Sequence, residues 1–167
     1  QDGRIERIVN NYSRISFNVG PTLLAWLEIH RPETYRAILE ADRESTKRFS
    51  GHGAALAQVY NHMILPLANG RDRRTQVRWG IRDFERRFAR RPEGMWLAET
   101  AVDLECLEVL LDEGIRFTIL APGQAVRAKK ISGRKWRDVA DGSIDPTTPY
   151  EVRLPSGRTI VVFFYDG

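Results

Sequence analysis

The chain has 167 residues and a net charge of +4, with 42% apolar and 29% charged residues, which is ordinary for a globular protein with a sizeable core. No apolar run approaches the roughly 20 residues that a membrane-spanning helix needs. The N-terminal stretch QDGRIERIVNNYS lacks the apolar centre of a signal peptide. We therefore expect a cytoplasmic protein without a membrane partner.

Apolar runs and turn residues predict alternating strands and helices along the chain. Gly20-Pro21 separates a first short strand from a helix, because proline suits the first turn of a helix. Pro32 ends that helix and begins the next. The segment 54–69 is mainly apolar. Strands are predicted at 15–20, 95–99, 115–122, 150–154 and 158–165, and helices at 22–29, 32–49, 73–89 and 104–113.

The stretch from Met95 to Leu120 predicts a parallel βαβ unit with a right-handed crossover. Asp103 is a suitable N-cap for its helix, and Gly114 is a suitable residue to end it. Residues 123–149 are less regular, with the basic stretch AVRAKKISGRKW and the turn-rich GSIDPTTP, and we interpret them as an excursion on top of a barrel. PSGR between the last two strands predicts a hairpin.

Arginine is concentrated in RDRRTQVRWGIRDFERRFARR, residues 71–91. Apolar residues at helical spacing predict one buried stripe there, formed by Val77, Ile81, Phe84 and Phe88. A neighbouring face repeats arginine every four residues, at Arg74, Arg78, Arg82 and Arg86. Such a face is either solvated or a phosphate-binding stripe. We favour the solvated face, because no aromatic or glycine pattern of a nucleic-acid module accompanies it.

Cys106 is the only cysteine, so an intrachain disulfide is excluded and a reducing compartment is favoured. It lies in LECLEVLL, on the apolar side of a predicted helix. A free cysteine in such a position behaves as a small core residue. We therefore interpret Cys106 as a buried, inert thiol.

Glu99 is the first candidate for chemistry, because it follows an apolar strand and precedes a helix. Loops after the strands build the cleft in α/β folds, so a carboxylate there can act as nucleophile, general base or metal ligand. The alternative is a glutamate that caps a helix or forms an ion pair. Trp96 precedes Glu99 by three residues, so their side chains point to opposite faces if the strand is regular.

His62 is the second candidate, in the segment VYNHMILPL. The polar pair Asn61-His62 interrupts apolar sequence, which favours a hydrogen-bonded core histidine over a site residue. A zinc site needs three or four ligands, and the chain has neither His-x-x-x-His nor Cys-x-x-Cys spacing. No nucleophile elbow or Walker loop is present in the sequence. We therefore expect no metal and no cofactor.

Four stretches of the chain together resemble family 57 of the glycoside hydrolases. They are SFNVGPTLLAWLE (16–28), YNHMILPLAN (60–69), WGIRDFERRFARRPEGMWLAETAVD (79–103) and GIRFTILAPGQA (114–125). The third stretch is the most specific, because it contains the W-L-x-E motif of the family. The overall run, with NNYSRISFNVGPTLL and FFYDG, is similar to a bacterial branch of that family.

The resemblance implies that residues 1–167 are one unit of a larger catalytic domain, part of an incomplete (β/α)7 barrel of the glycoside hydrolase and deacetylase type. It implies retaining chemistry on an α-glucan or oligosaccharide, with Glu99 as nucleophile and with His62 and Trp96 as substrate-binding residues. The acid/base aspartate of the family has no counterpart in the sequence. We expect it outside this chain, and we expect the isolated chain to be inactive.

Two other functions remain open at this point. The arginine-rich helix, residues 73–90, would serve a non-catalytic module that binds polyanions or nucleic acid. A metal-dependent polysaccharide deacetylase would use a related barrel, but the chain contains only three histidines as potential ligands. The sequence favours neither of these functions over a glycosidase.

Overall fold

A computed structural model of the chain describes residues 9–166. A six-stranded sheet has the order β1-β2-β3-β4-β8-β7, and all neighbours in it are parallel except the antiparallel β7 and β8. The strands are β1 (Phe17–Asn18), β2 (Ala55–Gln58), β3 (Gly94–Trp96), β4 (Phe117–Leu120), β5 (Arg127–Ala128), β6 (Arg137–Asp138), β7 (Tyr150–Arg153) and β8 (Thr159–Phe164). The helices are α1 (Pro21–His30), α2 (Pro32–Arg48), α3 (Gly70–Phe88) and α4 (Leu104–Asp112). The predicted α/β fold with a parallel βαβ unit is confirmed.

Proline and short polar side chains set the starts of the helices. Pro21 and Pro32 lie in the first turns of α1 and α2, where the missing N–H group would have no partner within the helix. The side chain of Asn69 accepts from the backbone N–H of Asp72 at the start of α3. Asp103 caps α4 as predicted, by accepting from a backbone N–H at 2.7 Å. No helix within residues 9–166 is long and apolar enough to cross a membrane.

The core lies between the sheet and the helices that pack on it. The apolar stripe predicted for α3 is confirmed, because all four of its residues are buried. Cys106 is also fully buried, as predicted, and belongs to the same main core cluster as the α3 stripe. A smaller second cluster joins the residues between β4 and β7 to the sheet, and consists of Leu120, Val139, Ile144, Val162 and Phe164.

Helix α3 packs closely against the sheet at Gly80, which is buried. A Cβ atom at this position would lie 2.1 Å from the backbone oxygen of Gln58, the last residue of β2. Only glycine therefore allows the helix and the strand to pack at this distance. The contact holds the end of β2, from which the chain enters the candidate site.

An ion pair between the buried Asp42 and the partly exposed Arg90 fixes α2 against the sheet. Arg90 donates to both carboxylate oxygens of Asp42, at 2.8 and 2.7 Å, and to the carbonyl oxygen of Ala55 at 2.9 Å. The Asp42 side chain is only 2% exposed and also accepts from the backbone N–H of Ala55. The pair therefore joins α2, β2 and the turn after α3 through a single carboxylate.

The structure differs from the sequence-based expectations mainly at the ends of strands. The apolar segment 54–69 contains β2, followed by a loop and a short 3₁₀ turn. Strand β3 ends at Trp96 and not at residue 99, because Ala98–Thr100 turn into a 3₁₀ segment. The hairpin predicted around PSGR is confirmed as β7 and β8.

Candidate active site

The candidate site lies at the edge of the sheet where the parallel strands end. His62 follows β2 by four residues, and Glu99 follows β3 by three. Because β2 and β3 are parallel neighbours, the segments after them leave the sheet on the same side. The strand order therefore brings together two residues that are 37 positions apart in the sequence.

Glu99 is presented to solvent by an unusual backbone. Its φ and ψ angles are 54° and 24°, and the next residue, Thr100, has a φ of 52°. Residues other than glycine rarely adopt this left-handed backbone conformation. The turn directs the Glu99 carboxylate away from the core, and its side chain is 75% exposed. The helix-capping role considered for Glu99 belongs instead to Asp103.

His62 is the hydrogen-bond partner of Glu99. Its Nε2 atom lies 3.3 Å from Oε1 of Glu99, and its Nδ1 atom lies 2.9 Å from the side-chain nitrogen of Gln58. The imidazole ring therefore lies between the side-chain amide of Gln58 and the carboxylate of Glu99. The side chain is 50% exposed, so the interpretation of His62 as a core histidine is wrong.

Strained backbone is concentrated at this site. Five residues other than glycine have a positive φ among those described, and three of them are His62, Glu99 and Thr100. Such conformations cost of order 1–3 kcal/mol each and persist where the surrounding structure enforces them. Their grouping around one carboxylate indicates a site in which orientation is maintained at the expense of stability.

Trp96 is the last residue of β3 and is half-buried. It is in register with Gln58 of β2, so the two side chains leave the sheet on the same face. That face also carries the Gln58 amide that contacts His62. The expectation that Trp96 and Glu99 point to opposite faces does not apply, because the strand ends at Trp96 and Glu99 belongs to the following turn.

Asp103 lies four residues after Glu99, but its carboxylate caps α4 and lies beside Arg73. The buried guanidinium of Arg73 lies 3.5 Å from one of its oxygens. Burial tends to raise the pKa of Asp103, but the hydrogen bonds from Cys106 and the charge of Arg73 outweigh it and hold the pKa below its usual value. Across residues 9–166, no group of three or more His, Cys, Asp or Glu side chains is placed to hold a metal ion.

A comparison with known families identifies the chain. The profile of Glycosyl hydrolase family 57 matches residues 11–167. The chain belongs to this family. No curated protein matches it at a significant level. The resemblance seen in the four sequence stretches is therefore confirmed, and the carboxylate at the strand edge lies within the matched region.

Solved structures of related fold include three carbohydrate-active enzymes. A 4-alpha-glucanotransferase from Thermococcus litoralis is 21% identical with a TM-score of 0.63, over 93% of this chain and 22% of that one. An exo-type maltose-forming amylase from Pyrococcus sp. ST04 is 15% identical with a TM-score of 0.65, over 93% and 24%. A branching enzyme from Pyrococcus horikoshii is 19% identical with a TM-score of 0.55, over 97% and 30%. The chain thus spans less than a third of each of these proteins.

The arginine-rich helix α3 of this family 57 chain is largely ion-paired. The four arginines of the predicted solvated face lie at or near the surface, and three of them contact carboxylates of α1 or of the end of α4. Arg74 contacts Asp112 and Glu113, Arg78 contacts Glu113, and Arg86 contacts Glu28. The arginine content of α3 is therefore used to join it to neighbouring helices.

One cleft of the family 57 chain lies apart from Glu99. It has a volume of about 370 Å³ and is lined by Tyr60, Trp79, Arg82, Asp83 and Arg86. None of the predicted site residues lines it. We base the candidate site on the strand edge and not on this cleft, because the strained turn and the His62 contact are at that edge.

Sequence reasoning did not find Gln58. It lies in an apolar segment whose strand was not predicted, and its role depends on a side-chain contact with His62. Its Oε1 atom is buried and has no hydrogen-bond partner among residues 9–166, and a Cβ atom on Gly20 would lie 3.0 Å from it. The only signal in the sequence was a polar residue four positions before a candidate histidine.

Proposed function

We propose that this chain belongs to a retaining glycoside hydrolase or transglycosylase that acts on α-glucans, with Glu99 as the nucleophile. The observation that carries the proposal is the exposed Glu99 carboxylate, on a strained turn at the carboxyl edge of a parallel sheet, in a family 57 chain. Active sites of parallel α/β folds lie at this edge. The neighbours with glucanotransferase, amylase and branching activities support an α-glucan as substrate.

In the proposed reaction, an oxygen of Glu99 attacks the anomeric carbon and the bond to the leaving oxygen breaks, so that a glycosyl-enzyme forms. A second carboxyl group protonates the leaving oxygen. It then removes a proton from water or from an acceptor hydroxyl, whose oxygen attacks the anomeric carbon as the bond to Glu99 breaks. Retaining enzymes hold these two groups roughly 5–5.5 Å apart. We assign the second group to an aspartate outside residues 1–167, because Asp103 caps α4 and pairs with Arg73.

His62 supports the nucleophile in this proposal. Its Nε2–H group donates to Oε1 of Glu99, which leaves the other carboxylate oxygen available for attack. The amide of Gln58 fixes the ring by donating to Nδ1. The exposed half of the ring is available to a sugar hydroxyl.

Trp96 contributes a surface for the sugar ring in this proposal. It leaves the sheet on the same face as Gln58 and is only half-buried. An indole combines a large apolar face with a polar N–H group, which suits a sugar with an apolar face and hydroxyl edges. We place the enzyme in the cytoplasm, in keeping with one buried cysteine and no partner for a disulfide.

The experiment that tests the proposal compares the intact protein with its Glu99→Gln variant on a panel of α-glucans, with analysis of the products. Glutamine keeps the size of the side chain but cannot form the glycosyl-enzyme. We expect a loss of several orders of magnitude in rate for the variant only. The products then separate hydrolysis from transfer. Full activity of Glu99→Gln would refute the assignment of the nucleophile.

The isolated 167-residue chain is proposed to be inactive, because the acid/base carboxyl group is assigned outside it. The same panel of α-glucans, incubated with the purified chain, tests this. Measurable hydrolysis that disappears with Glu99→Gln would place both carboxyl groups within these residues and would overturn this part of the proposal.

A further inference from the structure

Residues 126–138, called here the basic hairpin, carry a high positive charge that the proposed chemistry does not use. They include both strands of the small sheet, and they hold six cations and one carboxylate. Arg137 donates to the carbonyl oxygen of Ser143, and its charge also acts on Asp141 and Asp145. The other five are exposed, with no carboxylate within 4.0 Å in residues 9–166: Arg127, Lys129, Lys130, Arg134 and Lys135.

This hairpin contrasts with the other basic element of the protein. On α3, even the buried Arg73 and Arg87 contact carboxylates, and most exposed arginines of that helix do the same. The positive charge of α3 is therefore largely neutralised by carboxylates of α3 itself and of neighbouring helices. The other five cations of the basic hairpin have no such carboxylate within residues 9–166, and an anionic ligand would relieve their mutual repulsion.

An aromatic ring lies among these cations. Trp136 is 50% exposed. The guanidinium of Arg127 lies 5.1 Å from the centroid of its ring, and the ammonium of Lys129 lies 5.2 Å from it. The cations are therefore held next to an apolar surface. The cations lie over part of the indole, and its exposed remainder can contact a sugar whose charged groups then lie against those cations.

The basic hairpin follows β4 at the carboxyl edge of the sheet, the edge at which Glu99 follows β3. Gln124, two residues before the hairpin, donates from its side chain to the carbonyl oxygen of Thr100, the residue after Glu99. Val139, directly after the hairpin, is fully buried in the second core cluster. The start of the hairpin is therefore tethered to the turn that carries Glu99, and its end is anchored in the core.

We propose that the basic hairpin binds anionic substituents of the carbohydrate that reaches Glu99, so that the substrate is an α-glucan carrying carboxylate, sulfate or phosphate groups. The sugar contacts the exposed part of Trp136, and its substituents lie against cations such as Lys129 and Lys130. This inference rests on the proposed glycosidase function and specifies that the substrate of that enzyme is anionic.

The test is affinity electrophoresis of the intact protein in gels that contain either amylose or carboxymethyl-amylose of the same chain length. All proteins carry Glu99→Gln, so that binding is measured without turnover. The test variant is Lys129→Gln/Lys130→Gln. The matched control is Arg36→Gln/Lys47→Gln, which removes the same charge from two exposed positions on α2.

We expect stronger retention by carboxymethyl-amylose than by amylose, and a loss of retention with added salt. The double variant on the hairpin should bind the charged glucan about fivefold to tenfold more weakly, since each exposed charge pair contributes modestly. The control variant and the binding of neutral amylose should not change. Hydrolysis of amylose by the protein with Glu99 intact, measured in parallel, reports separately on the proposed function.

Two results would overturn the inference. Equal retention by the two glucans, with no effect of the hairpin substitutions, would show that the basic hairpin does not bind the anionic groups of the substrate. Single-stranded DNA bound as tightly as carboxymethyl-amylose, with the same dependence on Lys129 and Lys130, would assign the hairpin to nucleic acid instead.

Discussion

Replacing Gly80 with alanine is expected to destabilise the protein and to disturb the candidate site. The new Cβ atom would lie 2.1 Å from the backbone oxygen of Gln58, and contacts below 3.0 Å essentially never occur, so α3 or β2 must move by about 1 Å. Overpacking of this kind costs about 1–3 kcal/mol, and rigid backbone on both sides favours the upper end. Alanine recovers about 1 kcal/mol of helix propensity. The net loss is therefore about 2 kcal/mol.

Urea unfolding of the intact protein, followed by circular dichroism, measures this loss. Gly70→Ala is the matched control, because Gly70 begins the same helix and a Cβ atom there would have no neighbour within 4 Å. Its free energy of unfolding should change by less than about 0.5 kcal/mol. Because Gln58 holds His62, the activity of Gly80→Ala on α-glucans should also fall. Equal stability of the two variants would refute the argument from close packing.

Two further predictions concern buried charge and the buried thiol. Arg90→Met should cost about 3–5 kcal/mol in urea unfolding, because it leaves the Asp42 carboxylate buried without its partner, whereas Arg43→Met, which breaks an exposed pair with Glu40, should cost under 1 kcal/mol. A small effect of Arg90→Met would show that Asp42 is compensated elsewhere. Burial raises the pKa of Cys106 to about 12. Iodoacetamide at pH 8 should therefore label Cys106 only after unfolding, since alkylation needs the thiolate, and rapid labelling of the folded protein would contradict its burial.

The secondary structure was largely predictable because it depends on local patterns. The helical period of α3 placed its apolar stripe, and Asp103 and Gly114 marked the ends of α4. Strand β2 was not predicted, since a short apolar run does not distinguish a strand from a buried helix. The end of β3 was misplaced because the left-handed turn at Glu99 has no local signature in the sequence.

The candidate site was only partly predictable, because its contacts join distant parts of the chain. The position of Glu99 after an apolar strand was sufficient to single it out. Its contact with His62 depends on β2 and β3 being neighbours in the sheet. The partners of the arginines on α3 were also hidden, since Arg74 and Asp112 are 38 residues apart. Sequence patterns report which faces are polar, but the pairing of charges across faces is decided by the packing of helices.

The strained turn at Glu99 leads to a last prediction, that Thr100→Gly lowers activity with little change in stability. A β-branched residue at a φ of 52° costs roughly 1–2 kcal/mol, which glycine avoids. The lost burial of the threonine methyl group costs about 0.8 kcal/mol. The greater backbone entropy of glycine in the unfolded chain costs about 0.5–1 kcal/mol more, so the stability should change by less than about 1 kcal/mol. A glycine next to Glu99 also allows the carboxylate to leave its position beside His62, and the rate on α-glucans should fall by about tenfold or more.

Ala89→Gly is the control for this prediction, because Ala89 has a φ of 53° at the C-terminus of α3 and does not contact the site. It should gain stability for the same reason, by up to about 1 kcal/mol, with no change in rate. Thermal unfolding and initial rates of the intact protein separate the two effects. If Thr100→Gly kept the full rate, the left-handed turn would not be needed to orient Glu99. If both variants lost stability, neither backbone would be strained. A lower rate together with little change in stability is the expected result where strain holds a nucleophile in place.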